Sequence, residues 1–196
     1  KKLPIVFSPV SRPEQLGIVK SLEKPDGLAT GVFENPRYEK QIDLLRILKP
    51  TVKRVLLVYD PTQGAGLEQD KQMIEKILSS KGISLVAVEV FAVNEIYNKT
   101  QAHIRGADAV LTLKDNTVLS GIEGVIKLCS LHHVLLMASE FESGYKGAAL
   151  SFGLPDDLYG EQGARLARKI LEDKMLPAAM PCVTAGEQIL KINAKT

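Results

Sequence analysis

Apolar and polar positions along this chain come in two alternating textures: short apolar runs, and longer segments whose apolar residues recur at helical spacing. Residues 3–7 are the first run and predict a buried strand. Residues 13–22 place Leu16, Val19 and Leu22 on one face and predict a short helix. Lys24-Pro25-Asp26-Gly27 carries turn residues. A short strand is expected at 29–33, then a helix at 38–48 with Ile42, Leu45 and Leu48 facing inward.

From residue 54 the rhythm is regular. Runs at 55–59, 85–91, 109–113 and 134–137 read as strands, and the first is apolar throughout, as a strand covered on both faces requires. Helical segments at 67–81, 95–105 and 117–131 separate them. The first of these has Met73, Ile74, Ile77 and Leu78 as its buried stripe and Gly82 as its C-cap. A strand at 148–152, a helix at 156–173 and a strand at 189–192 complete the pattern. The succession predicts an α/β fold, with open parallel sheets, right-handed crossovers and helices on both faces. In such sheets ligands lie beyond the carboxyl ends of the strands. The candidate binding loops are therefore 8–13, 60–66, 114–117 and 139–144.

Composition narrows the function by exclusion. Twenty-five Lys and Arg against 23 Asp and Glu give a net charge of +2, with no basic run, so no nucleic-acid partner is expected. No apolar stretch reaches the roughly 18 residues of a membrane span. Cys129 and Cys182 fit no metal or redox spacing. Two separate buried thiols are the simpler reading and one disulfide the other. His103 falls in a helix, and His132 and His133 precede a strand at the end opposite the candidate loops. No serine stands in a Gly-x-Ser-x-Gly context. Gly64-Ala65-Gly66 lacks the third glycine of a dinucleotide fingerprint and the Gly-Lys-Ser/Thr ending of a P-loop. No catalytic residue, cofactor or metal is expected.

What remains is suited to binding. Lys114-Asp115-Asn116-Thr117 follows a strand and opens a helix. Asp115 or Asn116 serves there as an N-cap, or Asp115 faces a ligand ammonium while Thr117 and free amides point at the same ligand. Ser8 and Ser11 bracket the end of the first strand, as helix caps or as holders of a carboxylate. Ser139-Glu140 repeats the arrangement after another strand. Tyr59 and Phe141 stand at strand ends, as core residues or as flanks for a ligand side chain.

The segment Pro4-Ile5-Val6-Phe7-Ser8-Pro9-Val10-Ser11-Arg12-Pro13, with Gly17-Ile18-Val19-Lys20-Ser21-Leu22-Glu23-Lys24-Pro25-Asp26-Gly27 and Thr30-Gly31-Val32, resembles the ABC-transporter substrate-binding proteins related to tryptophan- and tyrosine-binding lipoproteins. Glu39-Lys40-Gln41, Leu44-Leu45, Lys53-Arg54-Val55, Asp115-Asn116-Thr117-Val118 and Ser139-Glu140 continue the match in order. Arg12-Pro13-Glu14-Gln15 and Pro25-Asp26-Gly27-Leu28 depart from the family's usual Asp-Pro-Val-Gly and Pro-Gly-Gly-Asn.

The resemblance implies a type I periplasmic-binding fold of two α/β lobes whose hinge the chain crosses three times. On that template residues 1–51 are part of lobe one, 52–140 form lobe two and 141–196 return to lobe one. The chain is expected to be an N-terminally truncated piece, with self-association as one consequence. The implied function is delivery of a small ligand, an amino acid, to an ABC permease from a periplasmic or membrane-anchored extracellular position. The alternative is the ligand-sensing part of a regulator with the same fold. The implied contacts are Ser8, Ser11, Tyr59, Asp115, Asn116, Thr117, Ser139 and Glu140.

Overall fold

The computed structural model describes residues 3–63 and 66–194; Lys1, Lys2 and the Gly64-Ala65 pair named above lie outside the described residues. Its elements are β1 (Ile5–Ser11), β2 (Ala29–Glu34), α1 (Tyr38–Leu48), β3 (Arg54–Tyr59), α2 (Leu67–Ser80), β4 (Ser84–Glu89), α3 (Val93–His103) and β5 (Ala109–Thr112). There follow α4 (Asn116–Ser120), α5 (Ile122–His132), β6 (Leu135–Ala138), α6 (Ser143–Lys146), β7 (Leu150–Gly153), α7 (Asp156–Leu171), a 3-10 turn (Pro177–Ala179) and β8 (Ile189–Ile192). They form two units: Lys1–Pro36 with Leu154–Gln188, and Arg37–Gly153 with Ile189–Thr196. The divisions fall at 36/37, 153/154 and 188/189 against template bounds at 51/52 and 140/141, so α1, α6, β7 and β8, given to lobe one by the template, group here with the second unit.

The second unit is a six-stranded sheet in the order β4-β3-β5-β6-β7-β8, parallel except for β8, which runs antiparallel to β7. The central strand β3 shows why its sequence is apolar at every step. Val55, Leu57 and Tyr59 face a cluster with Leu45 of α1 and Ile74 and Leu78 of α2. Leu56 and Val58 face the opposite cluster, with Ile96 of α3 and Val125 and Leu128 of α5. Both faces are covered, as the continuous apolar run requires. The edges of the helical stripes are less buried than their spacing predicts: Leu48 and Met73, both expected to be inward, are exposed. Each lies at the rim of its helix's apolar stripe.

The expected helix over 117–131 is two helices that meet at Gly121. A Cβ there would stand 2.6 Å from Ile96 Cδ1, so the residue lets this junction approach α3 closely.

The first unit pairs β1 with β2 in parallel and packs α7 beside them. Its core joins Val32, Leu154, Tyr159, Leu166 and Met180. Gly31 is obligatory, because any Cβ on it would overlap the Phe7 carbonyl and ring. The register shifts between Phe7 and Val10, where Pro9 has no N–H to donate. Two expectations are corrected in this unit. The first strand is not buried: Ile5 is 57% exposed, because β1 belongs to a sheet of only two strands. Residues 13–22 form turns, not a helix. Arg12 and Gly17 take positive φ of 54° and 68°, which a right-handed helix does not admit. The Glu14 carboxylate accepts the Leu22 N–H at 2.7 Å and closes the segment as a loop.

Candidate functional site

The strand order places a topological switch point between β3 and β5. The chain leaves β3 for α2 on one face of the sheet, and leaves β5 for α4 and α5 on the other. Loops that part in this way open a crevice at the carboxyl ends of the strands, the usual ligand position of open α/β sheets. Asp60 directly follows β3, and Asp115 stands in the loop after β5.

Asp115 is the N-cap of α4. Its Oδ1 accepts the Thr117 and Val118 amides at 2.8 and 3.2 Å, and its Oδ2 accepts the Asp60 amide. Asp60 in turn accepts the Thr117 hydroxyl at 2.8 Å through Oδ2, and the Thr62 amide and hydroxyl at 2.9 and 2.6 Å through Oδ1. Asp60, Asp115 and Thr117 are all buried. The two loops are therefore fastened across the switch point by one network. Its amide and hydroxyl donors spread the negative charge of the two carboxylates over several hydrogen bonds.

The two carboxyls respond differently. Burial would raise Asp60, but the donors from Thr62 and Thr117 outweigh it and hold the group below its ordinary value. Burial pushes Asp115 up despite its amide donors, and the charge of Asp60 adds to the rise. The network also corrects one expectation. The α4 amides were expected to be free and to point at the ligand, but Asp115 itself, as N-cap, occupies those of Thr117 and Val118, and the helix has only five residues. Asn116, in contrast, is exposed at the start of α4.

After β6, the Ser139 hydroxyl donates to Gln41 Oε1 of α1 at 2.7 Å, and both residues are buried. The other end of that amide, Gln41 Nε2, has no hydrogen-bond partner among the described residues. Both oxygens of Glu140 accept the amide of Ser143, the first residue of the short α6, at 3.0 Å. Phe141 is buried and meets Tyr145 edge to face at 5.6 Å.

Tyr59 is not brought to this end as a ligand flank. Its ring is fully buried in the β3 core, and its hydroxyl donates to Glu68 at 2.7 Å with Glu89 at 3.4 Å. Burial and these two carboxylates raise its pKa well above the ordinary value. In the first unit, the Ser8 hydroxyl donates to the Tyr159 carbonyl at 2.8 Å, while Ser11 ends β1 at an exposed position. The helix expected to supply amides beside these serines is absent, as shown above.

Asp60, Thr62 and Gln41 were not singled out from sequence. An Asp-Pro-Thr triplet after a strand is a local signal for the Asp60 turn. Nothing local signals the pairing with Asp115, 55 residues away. His103 ends α3 and His132 ends α5, with His133 its left-handed cap at φ 53°. Cys129 and Cys182 are free and buried. Among the described residues no group of three or more His, Cys, Asp or Glu could hold a metal ion, and no helix is long and apolar enough to cross a membrane.

Comparison with known proteins adds a family. Residues 1–196 match the family model described as ABC transporter substrate binding protein. A tyrosine-binding protein of Clostridioides difficile is 25% identical over 197 residues, which cover 100% of this chain and 56% of that protein. A conserved domain protein of Vibrio cholerae is similar in structure, with a TM-score of 0.90 and 28% identity over 100% of this chain and 66% of that one. An ABC domain from Streptococcus pneumonia, crystallised with L-Trp, shares the fold at a TM-score of 0.85 and 23% identity, again over 100% of this chain and 67% of that one. The chain thus spans about half to two thirds of the length of these relatives.

Proposed function

We propose, because the chain belongs to the ABC transporter substrate binding protein family, that it binds a small solute, an amino acid, and delivers it to the permease of an ABC importer. The family match over the whole chain carries this reading. The similarity to a protein named for tyrosine binding supports the ligand class. Delivery implies a position outside the cytoplasm, periplasmic or anchored at the outer face of the membrane.

The proposed contacts divide by role. In the second unit, Asn116 offers an exposed donor and acceptor at the switch point, and Ser139 offers hydroxyl lone pairs beside the unpartnered Gln41 nitrogen. The negative charge of Asp60 and Asp115 favours an ammonium, while their hydrogen bonds hold the loops in shape. Thr117 and Glu140 serve as fasteners of the same loops. In the first unit Ser8 and Ser11 are the proposed contacts, and Ser8 retains its lone pairs for an N–H donor.

Thermal shift with a panel of amino acids tests the reading. A ligand at about 100 times its Kd stabilises by roughly 2.7 kcal/mol, a readily seen rise in midpoint. Asn116→Ala is expected to weaken that ligand's binding by about tenfold, the cost of roughly one hydrogen bond to a charged group, without moving the midpoint of the free protein. Binding at wild-type strength in Asn116→Ala would remove this residue from the site.

A further inference from the structure

A second concave site lies within the second unit, at the end of the sheet opposite the switch point. It occupies a cavity of about 750 Å³ at the amino ends of β6 and β7, within the range typical of small-molecule pockets. Its lining is largely apolar, with Leu48 at the end of α1 and Ile192 at the end of β8 beside the first residues of β6 and β7. Leu48 and Ile192 are 47% and 56% exposed, large apolar side chains left open around a hollow. Its polar side chains are Lys49, Ser130 and His133 at the ends of α1 and α5, and Asn193 after β8.

Lys49 is the charged group of that lining. Its ammonium donates to the Asp108 carbonyl at 3.0 Å and lies 3.8 Å from the Asp108 carboxylate. That carboxylate already accepts the Lys53 and Arg54 amides at 2.7 and 2.9 Å, so it is shared among three donors. An ammonium has three N–H bonds, and the carbonyl takes one. A cation at the lip of an apolar hollow fits a molecule with an apolar body and an anionic head.

We infer that this cavity is a binding site for a small amphipathic carboxylate, with its alkyl or aryl body against Leu48 and Ile192 and its head at Lys49. The site is separate from the switch-point loops and does not depend on the amino-acid reading.

Calorimetric titration with decanoate, and with decanol as the uncharged counterpart, tests the inference. Saturable binding of one decanoate per chain is expected, at least about tenfold tighter than decanol, the difference a charge-assisted contact makes. Ser130→Trp, an exposed lining position that the larger ring would fill, is expected to abolish binding with the circular dichroism spectrum unchanged. Lys49→Met is expected to bring decanoate down to the level of decanol. No binding of either compound, or binding that survives Ser130→Trp, overturns the site. Equal binding of the two by the unaltered protein overturns the anionic ligand class.

Discussion

Asp60 and Asp115 stand in one network yet impose opposite pH dependences on stability. Asp60 is held below its ordinary value of 3.8, so its contribution is present above that pH and is lost as pH falls through the lowered value. Asp115 is raised above 3.8, so its contribution is complete below that pH and is lost as pH rises through the raised value. In urea unfolding from pH 2 to 7, Asp115→Asn should gain on the wild type as pH rises above about 4, with the gap then level. Asp60→Asn should approach the wild type as pH falls below about 4. The network's loss at neutral pH is measured by Asp115→Ala, which removes a cap and leaves the Asp60 amide unpaired, at about 1–3 kcal/mol. Burial acts on Cys129 in the same sense as on Asp115, pushing the thiol up to about 12. Native protein should leave Cys129 unlabelled by a thiol reagent at pH 8, and urea should expose it.

At the scale of elements, what could be read in advance follows from how many faces a segment buries. β3, β5 and β6 lie between two helical layers, so their apolar runs are unbroken and their places were legible. Residues 13–22 have helical spacing too, but positive φ at Arg12 and Gly17 is a property of backbone that no apolar pattern reports. The break at Gly121 was hidden for another reason. The glycine faces Ile96 Cδ1 on a different helix, and only the packed pair reveals it. Of the site, the Asp115 cap is a local pattern and was legible. Its partner Asp60 and the Ser139–Gln41 bond join segments 55 and 98 residues apart, so neither leaves a trace in local sequence. Two substitutions follow. Gly121→Ala should cost about 1–3 kcal/mol by crowding α3. Gly31→Ala should cost at least as much, because the atoms it meets include backbone of β1, which cannot turn aside. Chemical denaturation of each variant measures both.

For the molecule as a whole, stability rests on the doubly covered strands of the second unit. Leu57→Ala in the doubly covered β3 should lower the unfolding free energy by about 2–5 kcal/mol, read from the urea midpoint at constant slope. The carboxyl ends of β3 and β5 hold the Asp60–Asp115–Thr117 network, where the proposed function places the ligand's ammonium. The central claim is amino-acid binding, and isothermal titration of the protein with the common L-amino acids, tyrosine and tryptophan among them, tests it most directly. Saturable binding of one amino acid per chain, weakened in Asn116→Ala, is the expected result. Heats no larger than dilution across the whole set would contradict it.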